Sequence, residues 1–176
     1  MRGRSRRRGS LATEERTLLE GLVRDLGPRL AAYVHRVYGL RHEAEDIVAE
    51  AFCRAVKNIA ALRASERQDL YLLTTVRNLC RDRFRRNRPE STPPDILEER
   101  PAREGAGVEP SAEELEALRA AVARLPENQR EVVVLRLSTG LKFEEIAAVL
   151  HVPLGTALSR MHGAVQALRG MLAEQR

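Results

Sequence analysis

Apolar side chains recur every three or four positions over most of this chain, the spacing of helices that each bury one face. From Thr13 the pattern runs through Leu18, Leu19, Leu22, Val23 and Leu26, meets a Gly27-Pro28 pair that should punctuate it, and resumes at Leu30, Ala31, Val34, Val37 and Tyr38. Gly39 is placed to close that helix. Over residues 43–56 a second period buries Ile47, Val48, Ala51, Phe52, Ala55 and Val56, and it leaves Glu43, Glu45, Asp46 and Glu50 off the apolar face. After a polar stretch at 63–69, Leu72, Leu73, Val76, Leu79, Cys80 and Phe84 give a third helix.

The period then stops. Residues 89–110 hold five of the eight prolines, with glycine and repeated Glu, and read as a linker of acidic balance. It suits either a plain tether or a segment that mimics nucleic-acid charge. Ser111 with Glu114 forms a capping box that opens the next helix, carried by Leu115, Leu118, Val122 and Leu125. Pro126 suits a first helical position, Val132, Val133, Leu135 and Leu137 continue inward, and Gly140 can end the helix in a left-handed cap.

Phe143, Ile146, Ala147 and Leu150 then line one face of a short helix, which His151-Val152-Pro153 breaks. Another helix should start at about Leu154, with Ala157, Met161, Ala164, Val165 and Leu168 inward. Gly155, Thr156, Leu158, Ser159, His162 and Gly163 are left outward, with Arg160 at the border. Helix, tight turn, helix is the shape that places a second helix in the major groove of DNA, and Thr156 with the first-turn N–H groups suits a phosphate. A small bundle with proline at one corner gives the same pattern.

The expected fold class is therefore all-α: two small helical domains joined by a flexible linker, the second a helix-turn-helix. The boundaries read as a basic arm at 1–12, a first domain at 13–88, the linker at 89–110 and a second domain at 111–176. Composition agrees, since Trp is absent and aromatic residues make up 3% of the chain, which suits small helical cores rather than a β-sandwich.

A net charge of +5 and an isoelectric point near 9.8 point to a polyanionic partner. The distribution says more than the total. Arg77, Arg81, Arg85 and Arg88 recur every three or four residues along the third helix, where only Asp82 offers balance, and such a stripe is a footprint for a nucleic-acid backbone. Five arginines among the first nine residues suit phosphate contact and equally a solubilising tail. Cys53 and Cys80, on separate helices, show no metal-ligand or disulfide spacing and read as small buried hydrophobes. The four histidines are scattered, no phosphate-binding glycine loop or nucleophile constellation is present, and no cofactor or catalytic residue is expected. No apolar run approaches the ~20 residues that cross a bilayer, and the basic start lacks the apolar core of a signal peptide, so a soluble cytoplasmic protein is expected.

Three runs carry a family resemblance. LPENQREVVVLRLSTGLKFEEIAAVLHVPLGTALSRMHGA resembles the fourth conserved region of bacterial sigma-70 factors of the extracytoplasmic-function type, which reads the −35 promoter element. EAEDIVAEAFCRA resembles the second conserved region, which packs on the β′ clamp of RNA polymerase, and it implies Asp46, Glu50 and Arg54 as polymerase contacts. The third helix resembles the segment that engages and opens the −10 element. Asn78 and Asp82 fall on motif positions, and Tyr71 stands near the family's Trp.

The resemblance implies −10 contacts by Tyr71, Arg77, Asn78, Arg81, Arg85 and Arg88, with 60–68 as a loop that receives a flipped base, and −35 contacts by Thr156, Leu158, Ser159, Arg160 and His162. It further implies core polymerase (the β′ clamp and β subunits), promoter DNA and an anti-sigma factor as partners. Two departures stand out: Leu158 replaces a Lys or Arg and Gly163 an Arg, both of which face DNA in the family. They leave open a sigma-like interaction protein that reads no −35 element. A dimeric helix-turn-helix repressor is a third reading, and it leaves the acidic and arginine helices unexplained.

Overall fold

The structure is a computed structural model that describes residues 13–86 and 111–173. The expected basic arm, the linker and Arg88 lie outside the described residues. Within them every regular element is helical: α1 (Thr13–Tyr38), α2 (Ala44–Lys57), α3 (Ile59–Ala64), α4 (Gln68–Arg86), α5 (Ala112–Arg124), α6 (Glu127–Val134), α7 (Phe143–Leu150) and α8 (Leu154–Ala173), with one π-helical turn at Leu135–Thr139.

Local chemistry sets most of the boundaries. Gly39 ends α1 at φ 70°, donating its N–H to the His35 carbonyl at 2.9 Å, and Gly140 does the same work after the π turn at φ 69°. At α5 the capping box forms in both directions: Ser111 Oγ accepts from Glu114 N at 3.1 Å, and Glu114 Oε2 accepts from Ser111 N at 2.9 Å. Glu45 and Asp46 open α2 while Arg54 and Lys57 close it, each sign at the end of the helix dipole that favours it.

Several sequence expectations need correction. Gly27-Pro28 does not interrupt α1, which runs straight through with Pro28 inside. The missing N–H of one proline is outweighed by burial along the next three turns, since Leu30, Tyr33, Val34, Val37 and Tyr38 are all buried. Fully burying an aliphatic side chain stabilises by about 1.5–3 kcal/mol. The expected loop at 60–68 is largely α3, because Leu62 is fully buried and holds that turn down. Pro126 caps α6 from outside rather than standing in its first turn. Val56 and Leu137, expected inward, are exposed, and so is Cys53, whereas Cys80 is buried.

The core sits in two linked parts. α1, α2 and α4 pack around Val34, Val37, Ile47, Ala51, Leu72 and Val76, and α5 to α8 pack around Val132, Leu135, Ile146, Leu150, Ala157 and Ala164. The two parts are continuous, with α1 against α6 and α4 against α7.

Candidate nucleic-acid and polymerase interfaces

At 3.6 residues per turn each residue of α4 is rotated by about 100° from the last, so Asn78, Arg81 and Arg85 fall within about 60° of one another. All three are exposed, and Arg85 pairs only loosely with Asp82 at 3.6 Å. Arg77 does not belong with them. It lies about 80° back from Arg85, between the directions of Leu73, Cys80 and Phe84 and that of Arg81, and it is 4% exposed. The stripe read from the sequence is thus a shorter exposed face plus one inward arginine. Tyr71 is half-buried and packed against the core at the start of the same helix.

The acidic face of α2 is partly tied to α4. Arg83 bonds Glu43 at 3.1 Å and Glu50 at 3.2 Å, and Arg54 bonds Glu50 at 2.8 Å. The Arg54 hydrogen bond, helped by Arg83, holds the Glu50 carboxyl below the usual carboxylate range. Asp46 is exposed and makes no such pair among the described residues.

The corner between α7 and α8 forms as expected. His151 closes α7 in the left-handed region at φ 53°, and Val152 N–H reaches back to the Ala147 carbonyl at 3.0 Å. Lys142 N–H donates to Glu145 Oε2 at 2.7 Å at the other end of the helix. α8 begins at Leu154, with Thr156 half-buried, Leu158, Ser159 and His162 exposed and Arg160 half-buried. Gly163 is not outward. A Cβ there would meet Gln129 Nε2 of α6 at 3.1 Å, so this position faces the neighbouring helix rather than a groove.

Sequence reasoning did not foresee the residues that join the two parts, and it gave one of them, Arg77, to DNA. Glu131 of α6 is buried, and its Oε1 accepts from Tyr33 Oη at 2.9 Å, Tyr38 Oη at 2.9 Å and Arg77 Nε at 2.7 Å. Arg77 Nη2 lies 3.4 Å from Oε2. Burial, with Tyr38 and Glu131 alongside, raises the Tyr33 phenol, and burial and Glu131 raise that of Tyr38, so both stay protonated as donors. Beside Glu131, Arg130 Nε donates to the Val37 carbonyl at 2.8 Å, and its Nη1 donates to those of Ala123 at 2.7 Å and Leu125 at 3.3 Å. Arg36 Nη1 reaches Ser138 Oγ at 2.9 Å, and Arg67, held by Asp69, bonds Glu145 of α7. One signal was present in the sequence. Two charged residues abut the run Val132-Val133-Val134, which places them beside the core, where charge has to be paired.

Among the described residues no group of His, Cys, Asp and Glu could hold a metal ion, and no helix is long and apolar enough to cross a membrane.

Comparison with known proteins bears on both parts. The family models Sigma-70 region 2 and Sigma-70, region 4 match residues 22–90 and 115–168. The chain is 31% identical over 145 residues to the ECF RNA polymerase sigma factor EcfG of Rhodopseudomonas palustris, covering 82% of this chain and 80% of that one. It is 30% identical over 151 residues to SigW of Bacillus subtilis, covering 80% and 81%. In fold it is similar to the sigma factor RpoE of Bartonella quintana, solved with the anti-sigma factor NepR, at a TM-score of 0.66 and 24% identity over 92% of this chain and 99% of that one.

Proposed function

The chain belongs to the sigma-70 family of RNA polymerase sigma factors, extracytoplasmic-function type, and from that membership we propose how its parts divide the work of starting transcription. It binds core RNA polymerase and promoter DNA in transcription initiation. Residues 13–88 take the polymerase and the −10 element, 111–176 take the −35 element, 89–110 link them, and 1–12 form a basic arm. The chain acts in the cytoplasm by binding alone, with no catalytic group and no cofactor.

In this reading Asp46, with Glu50 and Arg54 beside it, meets the β′ clamp, and a second contact is made with the β subunit. Asn78, Arg81, Arg85 and Arg88 follow the −10 DNA backbone, with Tyr71 at the edge of the base-receiving surface. Thr156, Ser159, Arg160 and His162 make the polar contacts at −35, and Leu158 packs against a thymine methyl. An anti-sigma factor is a further partner, as for the Bartonella quintana relative.

The observation that carries this is the exposed Asn78, Arg81 and Arg85 face on α4 in one chain with a formed α7–α8 corner. The test is run-off transcription with core polymerase on genomic fragments. Discrete transcripts that depend on the chain support it, and their absence alongside tight core binding points to the second reading, a sigma-like interaction protein that reads no −35 element. That second reading is favoured by one feature: Leu154 and Leu158 are 39% and 44% exposed at the reading end of α8, where charge would be expected.

A further inference from the structure

The four hydrogen bonds that described residues make to the Glu131 carboxylate all come from the other part of the molecule: two from tyrosines of α1 and two from Arg77 of α4. The adjacent Arg130 turns instead to backbone carbonyls, those of Ala123 and Leu125 in its own part and that of Val37 across the seam. Glu131 is thus built for α1 and α4.

Arg77 is the one arginine in the 77, 81, 85 series that does not reach the surface. A guanidinium that donates from Nε and Nη2 to two carboxylate oxygens is arranged as it would be on two phosphate oxygens. Its Nη1 is buried and donates to no described residue, so the carboxylate leaves this cation incompletely satisfied. A phosphodiester of the −10 strand could take up that remaining donor.

The closed arrangement also conflicts with its proposed target. A compact body of this size is about 40 Å across, whereas promoter elements about 25 base pairs apart are separated by roughly 85 Å at ~3.4 Å per base pair. Both elements cannot be met while α6 and α7 stay against α1 and α4.

We propose that Glu131 is an internal ligand that competes with nucleic-acid phosphate for Arg77, so that the closed chain is a latched form and release of α6 returns Arg77 to the Arg81 and Arg85 face. This rests on the assignment of α4 to −10 DNA. The carboxylate acts as the stand-in for phosphate, Tyr33 and Tyr38 hold it in place, and the Arg67 bond to Glu145 is a second clasp on the same seam.

The full chain is compared as wild type, Glu131→Gln, Glu131→Gln with Arg77→Gln, and Arg77→Met with Glu131→Leu. A fluorescent DNA duplex of mixed sequence, titrated at several salt concentrations, serves as the probe. Small-angle scattering reports opening, and pull-down reports core polymerase. Glu131→Gln is expected to enlarge the radius of gyration, to tighten DNA binding by about three- to tenfold at low salt and to steepen the salt dependence by about one unit. Removing Arg77 as well abolishes that gain, and the apolar pair remains compact and binds no better than wild type. An opened Glu131→Gln chain with unchanged affinity and slope overturns the latch, as does a gain that survives loss of Arg77.

If Glu131→Gln fails to fold, Tyr33→Phe with Tyr38→Phe keeps both charges and is expected to move DNA binding the same way by a smaller factor, and no movement overturns the proposal. Core binding by wild type, with no effect of any latch variant on DNA, sinks the latch and leaves the functional reading intact. Failure of wild type to bind core polymerase sinks both.

Discussion

The two helices assigned to promoter DNA hold different chemistry toward solvent: α4 presents Asn78, Arg81 and Arg85, whereas α8 presents Leu154, Leu158, Ser159 and His162. Phosphate contacts by arginine supply affinity without sequence information, while base-edge contacts supply discrimination. The first helix is therefore equipped to hold DNA, and the second is poorly equipped to choose it. On the proposed assignment, a chain so divided would depend on polymerase to bring α8 to its site.

That dependence makes Asp46 the place of the largest expected effect. Reversing it with Asp46→Lys should weaken core binding by several kcal/mol, as for a like-charge juxtaposition at an interface, with a smaller loss of fold stability, on the order of 1 kcal/mol, from a cation in the first turn of α2, since the residue is exposed and stands outside the α2–α4 ion pairs. Unaltered pull-down of core polymerase by this variant would remove α2 from the interface. Glu50→Lys is a poorer probe, since it also breaks the bonds to Arg54 and Arg83.

Next in size is the contrast between the helices themselves. Arg81→Ala with Arg85→Ala should lower the salt slope of promoter binding by about two units, at about 0.9 for each phosphate no longer neutralised. Thr156→Ala with Ser159→Ala should leave that slope nearly as it was. Equal slopes for the two double variants, measured by anisotropy, would erase the distinction between α4 and α8.

The distinction can also be narrowed. Leu158→Lys places a cation on the exposed start of α8 and should tighten promoter binding by about 1 kcal/mol. Gly163→Arg should give no comparable gain. Its new side chain starts against Gln129, and the helix-propensity benefit of replacing glycine, about 1 kcal/mol, is offset by displacing that neighbour. A larger gain from Gly163→Arg than from Leu158→Lys would show that α8 meets DNA with its other face.

The smallest effect tests whether the inner side of α4 is as closed as its outer side is open. Burial pushes the Cys80 thiol up to about 12, so at about pH 8 roughly one molecule in ten thousand carries the thiolate, while Cys53 on α2 is exposed. A thiol reagent should modify Cys53 quickly and Cys80 slowly. Matching rates would mean that α4 is not packed as described.

How much of this was legible in the chain depended on range. The caps at Gly39, Ser111 and Gly140 and the break at His151 to Pro153 arise from neighbours a few residues away, and these formed where the sequence placed them. Arg77 was misplaced because periodicity fixes an angle around a helix but not what stands opposite, and its partner lies 54 residues on. Gly163 was misplaced for the same reason, with Gln129 on another helix. Gly27-Pro28 misled in the opposite direction, because the local rule was sound and the buried residues after Pro28 overrode it.

Arg130 has a consequence for how the molecule melts. One guanidinium on α6 closes backbone carbonyls at the end of its neighbour α5 and, across the seam, near the end of α1, where each helix dipole is negative, so the Val37 carbonyl and the Arg130 Nε each depend on the other part for a partner. In the closed chain, heat should dissolve both parts in one cooperative step, with calorimetric and van't Hoff enthalpies equal. Arg130→Met should split that step into two overlapping transitions, each with the smaller enthalpy of a half-sized unit.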